Sequence, residues 1–321
     1  MTTDFPTFNP QPQSTAMNID FPGPNRKIFE PPLSVQRYKW VQDFITNRAD
    51  VFSITDFGCG NGRILNWLKP IPHIGTINCL DSDRVMLDFE IDNYFRPGIY
   101  EMLFGRQGSM RPLNIRVFHG DLTIPDERLS SDCFLMVEVI EHMLPEDVER
   151  ATRIIFGYYK PKLVVITTPN REFNHLLRQE DESEDKFRHF DHKFEWNRMQ
   201  FNQYCQEICD RYQYMVMFDG VGHLPGSDPF GPCTQIAVFQ FDENHRTNCP
   251  NKDLLCFDML LDKLTVRDSV PDWDYDPSQR KISLIAEFTL PGLKSDLKPT
   301  DVQPYDWTSD DVELTSEVSP T

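Results

Sequence analysis

The sequence predicts an α/β fold, a mostly parallel seven-stranded sheet with helices on both faces. Three observations predict it. Short apolar runs alternate along the chain with amphipathic stretches of helical length. The run Cys133–Val137 is apolar throughout, which is the pattern of a strand buried on both faces. The turn Asp56-Phe57-Gly58-Cys59-Gly60-Asn61-Gly62 joins the first run to a helix, and glycines there let the backbone turn sharply and approach a ligand.

The elements follow in order. Residues 1–25 read as a disordered tail, polar and punctuated by Pro6, Pro10, Pro12, Pro22 and Pro24. After the extended stretch Phe29-Glu30-Pro31-Pro32-Leu33, Gln36 to Ile45 alternates as an amphipathic helix. Val51 to Phe57 is a first strand, and Arg63 to Leu68 opens a helix. Ile74 to Leu80 is a second strand, ending at Asp81, and Arg84 to Ile91 fits a helix. Leu113 to Phe118 is a third strand, running into His119-Gly120-Asp121. Cys133 to Val137 is the fourth, Glu146 to Tyr159 a helix, and Lys162 to Thr168 the fifth strand, closed by Pro169-Asn170. Met199 to Arg211 is a helix for which Asn197 can serve as cap. Tyr214 to Phe218 and Thr234 to Phe241 close the sheet. The main domain therefore spans 26–245. An extension over 246–293 packs on it, with a helix at Leu254–Leu261 and a strand or extended segment at Lys281–Phe288, and 294–321 is an acidic disordered tail.

Composition narrows the function. A formal charge of −18 is unusual for a protein that grips nucleic acid, because phosphate contacts need Lys and Arg. The acids gather in Glu180–Asp185 and in the tail, however, so net charge describes loops more than a working face. The eight cysteines include no C-x-x-C pair, which argues against a zinc knuckle. They read as reduced thiols of a cytosolic or nuclear protein. No apolar h-region opens the chain, and no apolar run approaches the ~20 residues of a membrane helix.

Two clusters carry chemistry. In Val137-Glu138-Val139-Ile140-Glu141-His142, the residues Glu138, Glu141 and His142 fall at i, i+3 and i+4, one side of a helical turn. Like charges held so close favour a cation between them; the plainer reading is a helix start whose acids offset the dipole. Phe187-Arg188-His189-Phe190-Asp191-His192-Lys193-Phe194-Glu195-Trp196-Asn197-Arg198 interleaves aromatic with basic residues, a composition that stacks on bases and pairs with phosphates or sugar hydroxyls. Both clusters follow strands and so open on one rim. One imidazole of the second, His189 or His192, would complete a Glu-Glu-His-His site suited to Mg²⁺, Mn²⁺ or another first-row divalent ion.

The glycine turn is no dinucleotide fingerprint, since Arg63 stands where the third glycine belongs, and no Lys-Ser/Thr pair makes it a P-loop. D-x-G-x-G-x-G resembles the first motif of Rossmann-like class I methyltransferases dependent on S-adenosylmethionine. That resemblance implies cofactor binding by Asp56, Gly58, Gly60 and Gly62, with Asp81 on the ribose and Asp121 at the adenine. Adding Phe29-x-Pro31-Pro32-Leu33-x-x-Gln36-Arg37-Tyr38, Glu138-x-x-Glu141-His142, Pro169-Asn170-x-Glu172-Phe173-Asn174 and Phe187 to Arg198, the chain resembles the small-RNA 3′-terminal 2′-O-methyltransferase family, in its compact animal-type form. The resemblance implies a divalent metal, Mg²⁺ or Mn²⁺, on Glu138, Glu141, His142 and His192, holding the last nucleotide's hydroxyls. His189 is then a candidate to accept the released proton or touch the RNA. It also implies single-stranded small RNAs such as piRNA as substrate, an Argonaute or Piwi protein as partner, no membrane, a monomer, and a cytoplasmic location in RNA granules. Asn197 replaces the family's usual Thr, and the acidic insert at 180–185 is the chain's own. The alternatives are a methyltransferase acting on a protein or small molecule and a scaffold that has lost its chemistry.

Overall fold

A computed structural model describes residues 28–106, 109–177, 187–242 and 282–292. The acidic insert at 180–185, the expected helix at Leu254–Leu261 and both tails lie outside the described residues. Eight strands form one sheet: β1 (Ser53–Phe57), β2 (Thr76–Asp81), β3 (Leu113–His119), β4 (Cys133–Val137), β5 (Leu163–Pro169), β6 (Tyr214–Val221), β7 (Thr234–Phe241) and β8 (Ser283–Leu290). Their order is β6-β7-β5-β4-β1-β2-β3-β8. The five central strands are mutually parallel. β7 runs antiparallel to β5, β6 antiparallel to β7, and β8 antiparallel to β3.

The expected class holds, and among the described residues the strand count is eight where the sequence predicts seven. The added strand is Ser283–Leu290, anticipated only as a strand or extended segment of the C-terminal extension. Its register on β3 runs from Leu113↔Leu290 to His119↔Ser283, with one irregularity at Val117/Phe118.

Alternate residues of each strand feed two cores, as period-2 geometry demands. Cys133 and Leu135 of β4 join Val41 and Ile45 of α1 (Leu33–Thr46) and Leu65 and Leu68 of α2 (Leu65–Leu68) on one face. Phe134 and Met136 point the other way. There they meet Val148 of α5 (Pro145–Thr152) and Phe201, Cys205 and Ile208 of α7 (Arg198–Arg211). Between these helices come α3 (Arg84–Glu90), α4 (Ile99–Phe104) and α6 (Asn174–Leu177).

Local chemistry sets the helix starts. Asn197 accepts from the Gln200 amide at 2.9 Å while the Gln200 side chain accepts from the Asn197 amide at 3.0 Å, a reciprocal cap that begins α7 at Arg198. Asp83 caps α3 by accepting from the Met86 amide at 2.9 Å. Pro145 opens α5 with Glu146 and Asp147 in its first turn, and beyond Thr152 the helix continues in π form to Tyr159. The sequence pattern missed α4, whose Ile99, Tyr100 and Leu103 are exposed. No described helix is long and apolar enough to cross a membrane, and the six described cysteines are free thiols.

The strand order reverses between β1 and β4, where β1 leads outward to β2 and β3 while β4 leads to β5. Open α/β sheets bind ligands at such a switch point, in the crevice beyond the strand carboxyl ends.

Candidate active site

Two groups of residues meet at this crevice. The first is the glycine turn after β1. The amides of Gly58 and Cys59 donate to the Leu80 carbonyl at 2.8 and 3.1 Å, fastening the turn to the end of β2. Gly58 and Gly62 sit at φ 67° and 76°. A Cβ on Gly58 would lie 2.7 Å from Val139, and one on Gly62 2.7 Å from Phe95. Gly60 differs: its φ is 53° but nothing lies within 4 Å of its Cβ position, so that side of the turn is open to a ligand.

Asp81 ends β2, where its Oδ2 accepts from the Gly60 amide at 2.8 Å and its Oδ1 from the Asp83 amide at 2.9 Å. Asp121 follows β3, whose last residue His119 is level with Asp81. Its Oδ1 accepts from the Thr123 amide and hydroxyl at 2.8 and 2.7 Å. Asp56 is buried in β1, and burial, then the Asp81 charge, pushes its carboxyl up to about 8. The structure thus brings Gly58, Gly60, Gly62 and Asp81 into one contact group, puts Asp121 on the adjoining strand end, and keeps Asp56 beneath the turn.

The second group follows β4 and β5. The sequence reading sets Glu138, Glu141 and His142 on one helical turn; the structure corrects this. Glu138 has φ 56°, in the left-handed region, and only Ile140–His142 coils, as a single 3₁₀ turn. The conformation at Glu138 costs of order 1–3 kcal/mol for a non-glycine residue. Thr167 offsets it: the Glu138 amide donates to the Thr167 carbonyl and hydroxyl at 3.1 Å each, and that hydroxyl donates to Glu138 Oε1 at 2.9 Å. Arg37 Nη1 lies 3.4 Å from Glu138 Oε2.

Glu141 is fully buried. Its Oε2 accepts from the Thr168 hydroxyl at 3.0 Å, while Oε1 is buried with no partner among the described residues. Burial, then the Glu138 charge, pushes its carboxyl well above the usual range. Such an orphaned oxygen is costly unless a proton or a cation meets it.

Across from it stand the imidazoles. His142, His189 and His192 can each offer a ligand atom so that all lie within 4.8 Å of one another. Glu138 and Glu141 fall outside that tightest group. Ring centroids are 4.8 Å apart for His142 and His192, 5.8 Å for His142 and His189, and 5.5 Å for His189 and His192. His142 Nδ1 meets Asp191 Oδ2 at 3.0 Å, and His192 Nδ1 meets Glu195 Oε1 at 2.5 Å. With both Nδ1 atoms held by carboxylates, each ring keeps Nε2 for a metal, the arrangement that fixes the tautomer of ligating histidines. Burial of His192 lowers its pKa, against the pull of Glu195, which favours the neutral, ligating form. This imidazole donor set fits a divalent ion, and the bare oxygen of Glu141, one residue before His142, is a further donor outside the tight group.

Sequence reasoning assigned no role to Glu195 and expected Arg188 to pair with phosphates or sugar hydroxyls; the structure instead uses both to hold this loop. Glu195 is 2% exposed, and besides His192 it accepts from the Arg188 amide at 2.6 Å and from the Asn174 side chain. The Arg188 guanidinium donates to Asn174 Oδ1 and to the Asn170 and Cys233 carbonyls. The Lys193 amide donates to the Glu141 carbonyl at 2.7 Å, tying the two clusters together. The one sequence signal was spacing, Glu195 three residues after His192 and Asp191 beside it.

Comparisons with known proteins agree with this fold. A family model described as a methyltransferase domain matches residues 55–166, and the fold is the Rossmann-like methyltransferase fold. The crystal structure of small RNA methyltransferase HEN1 superposes with a TM-score of 0.56 at 31% identity, over 72% of this chain and 27% of that one. The methyltransferase domain of bacterial-CtHen1-CN gives a TM-score of 0.54 at 27% identity, over 65% of this chain and all (100%) of that one. The small RNA 2′-O-methyltransferase of Rattus norvegicus is 37% identical over 66% of this chain and 52% of its own length. The chain spans about half the length of several curated relatives it matches. It covers 68% of the Schizosaccharomyces pombe small RNA 2′-O-methyltransferase at 31% identity, matching 74% of its own residues. The chain belongs to the small RNA 2′-O-methyltransferase family.

Proposed function

We propose that the chain transfers a methyl group from S-adenosylmethionine to the 2′-hydroxyl of the 3′-terminal nucleotide of a small single-stranded RNA, in a metal-dependent reaction. The observation that carries this reading is the carboxylate-backed histidine cluster, on the same rim as an open glycine turn. S-adenosylmethionine supplies an electrophilic methyl, and a divalent ion supplies acidification of a hydroxyl bound to it.

The chain's residues then divide the work. Gly58–Gly62 gives the cofactor a close backbone surface, open at Gly60. Asp81 has the chemistry to accept from two vicinal ribose hydroxyls, and Asp121 has Oδ2 to offer the adenine amine. Glu138, Glu141, His142 and His192 would hold the ion, with Glu138 restrained by Thr167 and Arg37. His189, the third imidazole of the cluster, is the candidate to take the proton leaving the 2′-hydroxyl or to touch the RNA. The reading extends to a cytoplasmic monomer that receives RNA, such as piRNA, from an Argonaute or Piwi protein.

The test is transfer of labelled methyl to a short single-stranded RNA, with and without chelator. Expected results are loss of transfer in excess EDTA and on RNA ending in a 2′-deoxynucleotide. Glu138→Ala should lower transfer at least ~100-fold while cofactor affinity measured by calorimetry stays within about twofold, because the hydrogen bond and ion pair of the Glu138 side chain among the described residues go to Thr167 and Arg37 and not to the turn. Full activity in EDTA, or equal activity on the deoxy end, would sink the proposal.

A further inference from the structure

We propose that Phe190 is the stacking surface for the base of the RNA's terminal nucleotide, an inference that rests on the function proposed above. Four aromatic residues lie in the segment Phe187–Trp196, and the structure separates one from the others. The Phe187 ring has the Arg171 guanidinium over it at 5.9 Å. Phe194 and Trp196 pack at 4.4 Å, and Trp196 continues onto Tyr204 at 4.9 Å. Phe190 is 95% exposed.

A lone exposed aromatic is common on protein surfaces, so its placement has to carry the argument. Its ring centroid lies 4.3 Å from that of His189, tilted by 34°, and His189 is one corner of the histidine cluster. The base of a nucleotide is carried on the same ribose as its 2′- and 3′-hydroxyls. Hydroxyls at the imidazoles therefore bring that base within reach of the ring next door.

The loop also holds Phe190 out. The His192 amide donates to the His189 carbonyl, and the Asp191 amide to His189 Nδ1, both at 3.2 Å. The Arg188 side chain and the Lys193 amide fasten the flanks to Asn174 and Glu141. These bonds fix the backbone on both sides of Phe190, so part of the ordering cost of binding is met before RNA arrives. Stacking also needs no basic surface: a π-face attracts a base without phosphate contacts and takes all four bases alike.

The experiment uses the full chain and a short single-stranded RNA ending in 2-aminopurine, whose fluorescence is quenched on stacking. The parent should quench it, Phe190→Trp should quench it as well, and Phe190→Ala should lose most of the quench. In methyl transfer, Phe190→Ala should raise the KM for RNA about tenfold, with kcat at saturating RNA falling less than about twofold. On RNA ending in an abasic ribose, the parent's KM should rise to the variant's value, because the ring then has nothing to stack on. Unaltered quench and KM in Phe190→Ala, with the parent transferring methyl normally, would overturn the assignment of Phe190 alone. A parent that transfers no methyl to RNA would overturn the proposed function itself.

Discussion

Glu195 offers the sharpest test of how the site is held. Replacing it by Gln keeps the side-chain shape but turns one acceptor oxygen into an N–H₂ donor. In the parent, Oε1 serves His192 Nδ1 and the Arg188 amide, and Oε2 serves Asn174 Nδ2. Whichever way the amide of Gln faces, it confronts at least one donor in a pocket where the side chain is 0% exposed. Stranding one buried donor costs about 1–3 kcal/mol, which lowers Tm by roughly 3–10 °C in a domain of this size. The second consequence is at the metal. Without its carboxylate partner His192 loses the constraint on tautomer and ring orientation, and outer-shell losses of this kind weaken metal binding by about 10–100-fold. The assay is calorimetric titration of parent and Glu195→Gln with Mn²⁺, with S-adenosylmethionine titrated as a control. The expected result is weaker Mn²⁺ binding with cofactor affinity within about twofold of the parent's, since among the described residues Glu195 bonds to Asn174, Arg188 and His192 and not to the glycine turn. A variant that matches the parent in both Mn²⁺ affinity and Tm would refute the reasoning.

Two further predictions concern the cofactor side. Folding raises the Asp56 carboxyl from 3.8 to about 8, so the folded protein holds a proton that the unfolded chain releases. Stability therefore falls as pH rises from about 4 to about 8, then levels off. Asp56→Asn cannot ionise, and its advantage over the parent should grow by roughly 1.4 kcal/mol per pH unit across that window; a constant Tm difference at pH 5, 7 and 9 would contradict this. Gly62→Ala and Gly60→Ala should part company. Both place a side chain at positive φ at about 1–2 kcal/mol, but only Gly62 drives a Cβ to within 2.7 Å of Phe95, adding roughly 1–3 kcal/mol of overpacking. Thermal melts should therefore show the larger loss for Gly62→Ala, while Gly60→Ala acts mainly on S-adenosylmethionine affinity.

The legible part of the fold was the part governed by local pattern. β4 and most of β5 are continuous apolar runs because both faces are covered, and the predicted bounds of β1 to β5 agree with the structure to within about two residues. α4 was invisible because Ile99, Tyr100 and Leu103 face outward, leaving no apolar stripe directed at a core. In the site, glycines and strand-end acids carry their chemistry in their spacing. Glu138 does not: its left-handed backbone is imposed by Thr167, 29 residues away, and no local rule foresees it. Glu195 acquires its role only when Asn174, Arg188 and His192 converge on it, which is a property of packing and not of sequence distance.

The C-terminal strand has a consequence for how the molecule assembles. β7 and β8 follow one another in the described chain, yet five strands separate them in the sheet, a lateral distance of about 29 Å at the usual strand spacing. β8 therefore docks by a long-range closure, and as the last described strand it emerges from a ribosome after every strand it depends on. Until it arrives, β3 presents an unpaired ladder flanked by Ile115 and Val117. An open apolar edge of that kind recruits other chains. Once β8 is seated, antiparallel neighbours cover both sides of the parallel set. The strand farthest along the described chain thus replaces the apolar edge of β3 with its own, which carries exposed Ser283, Glu287 and Thr289.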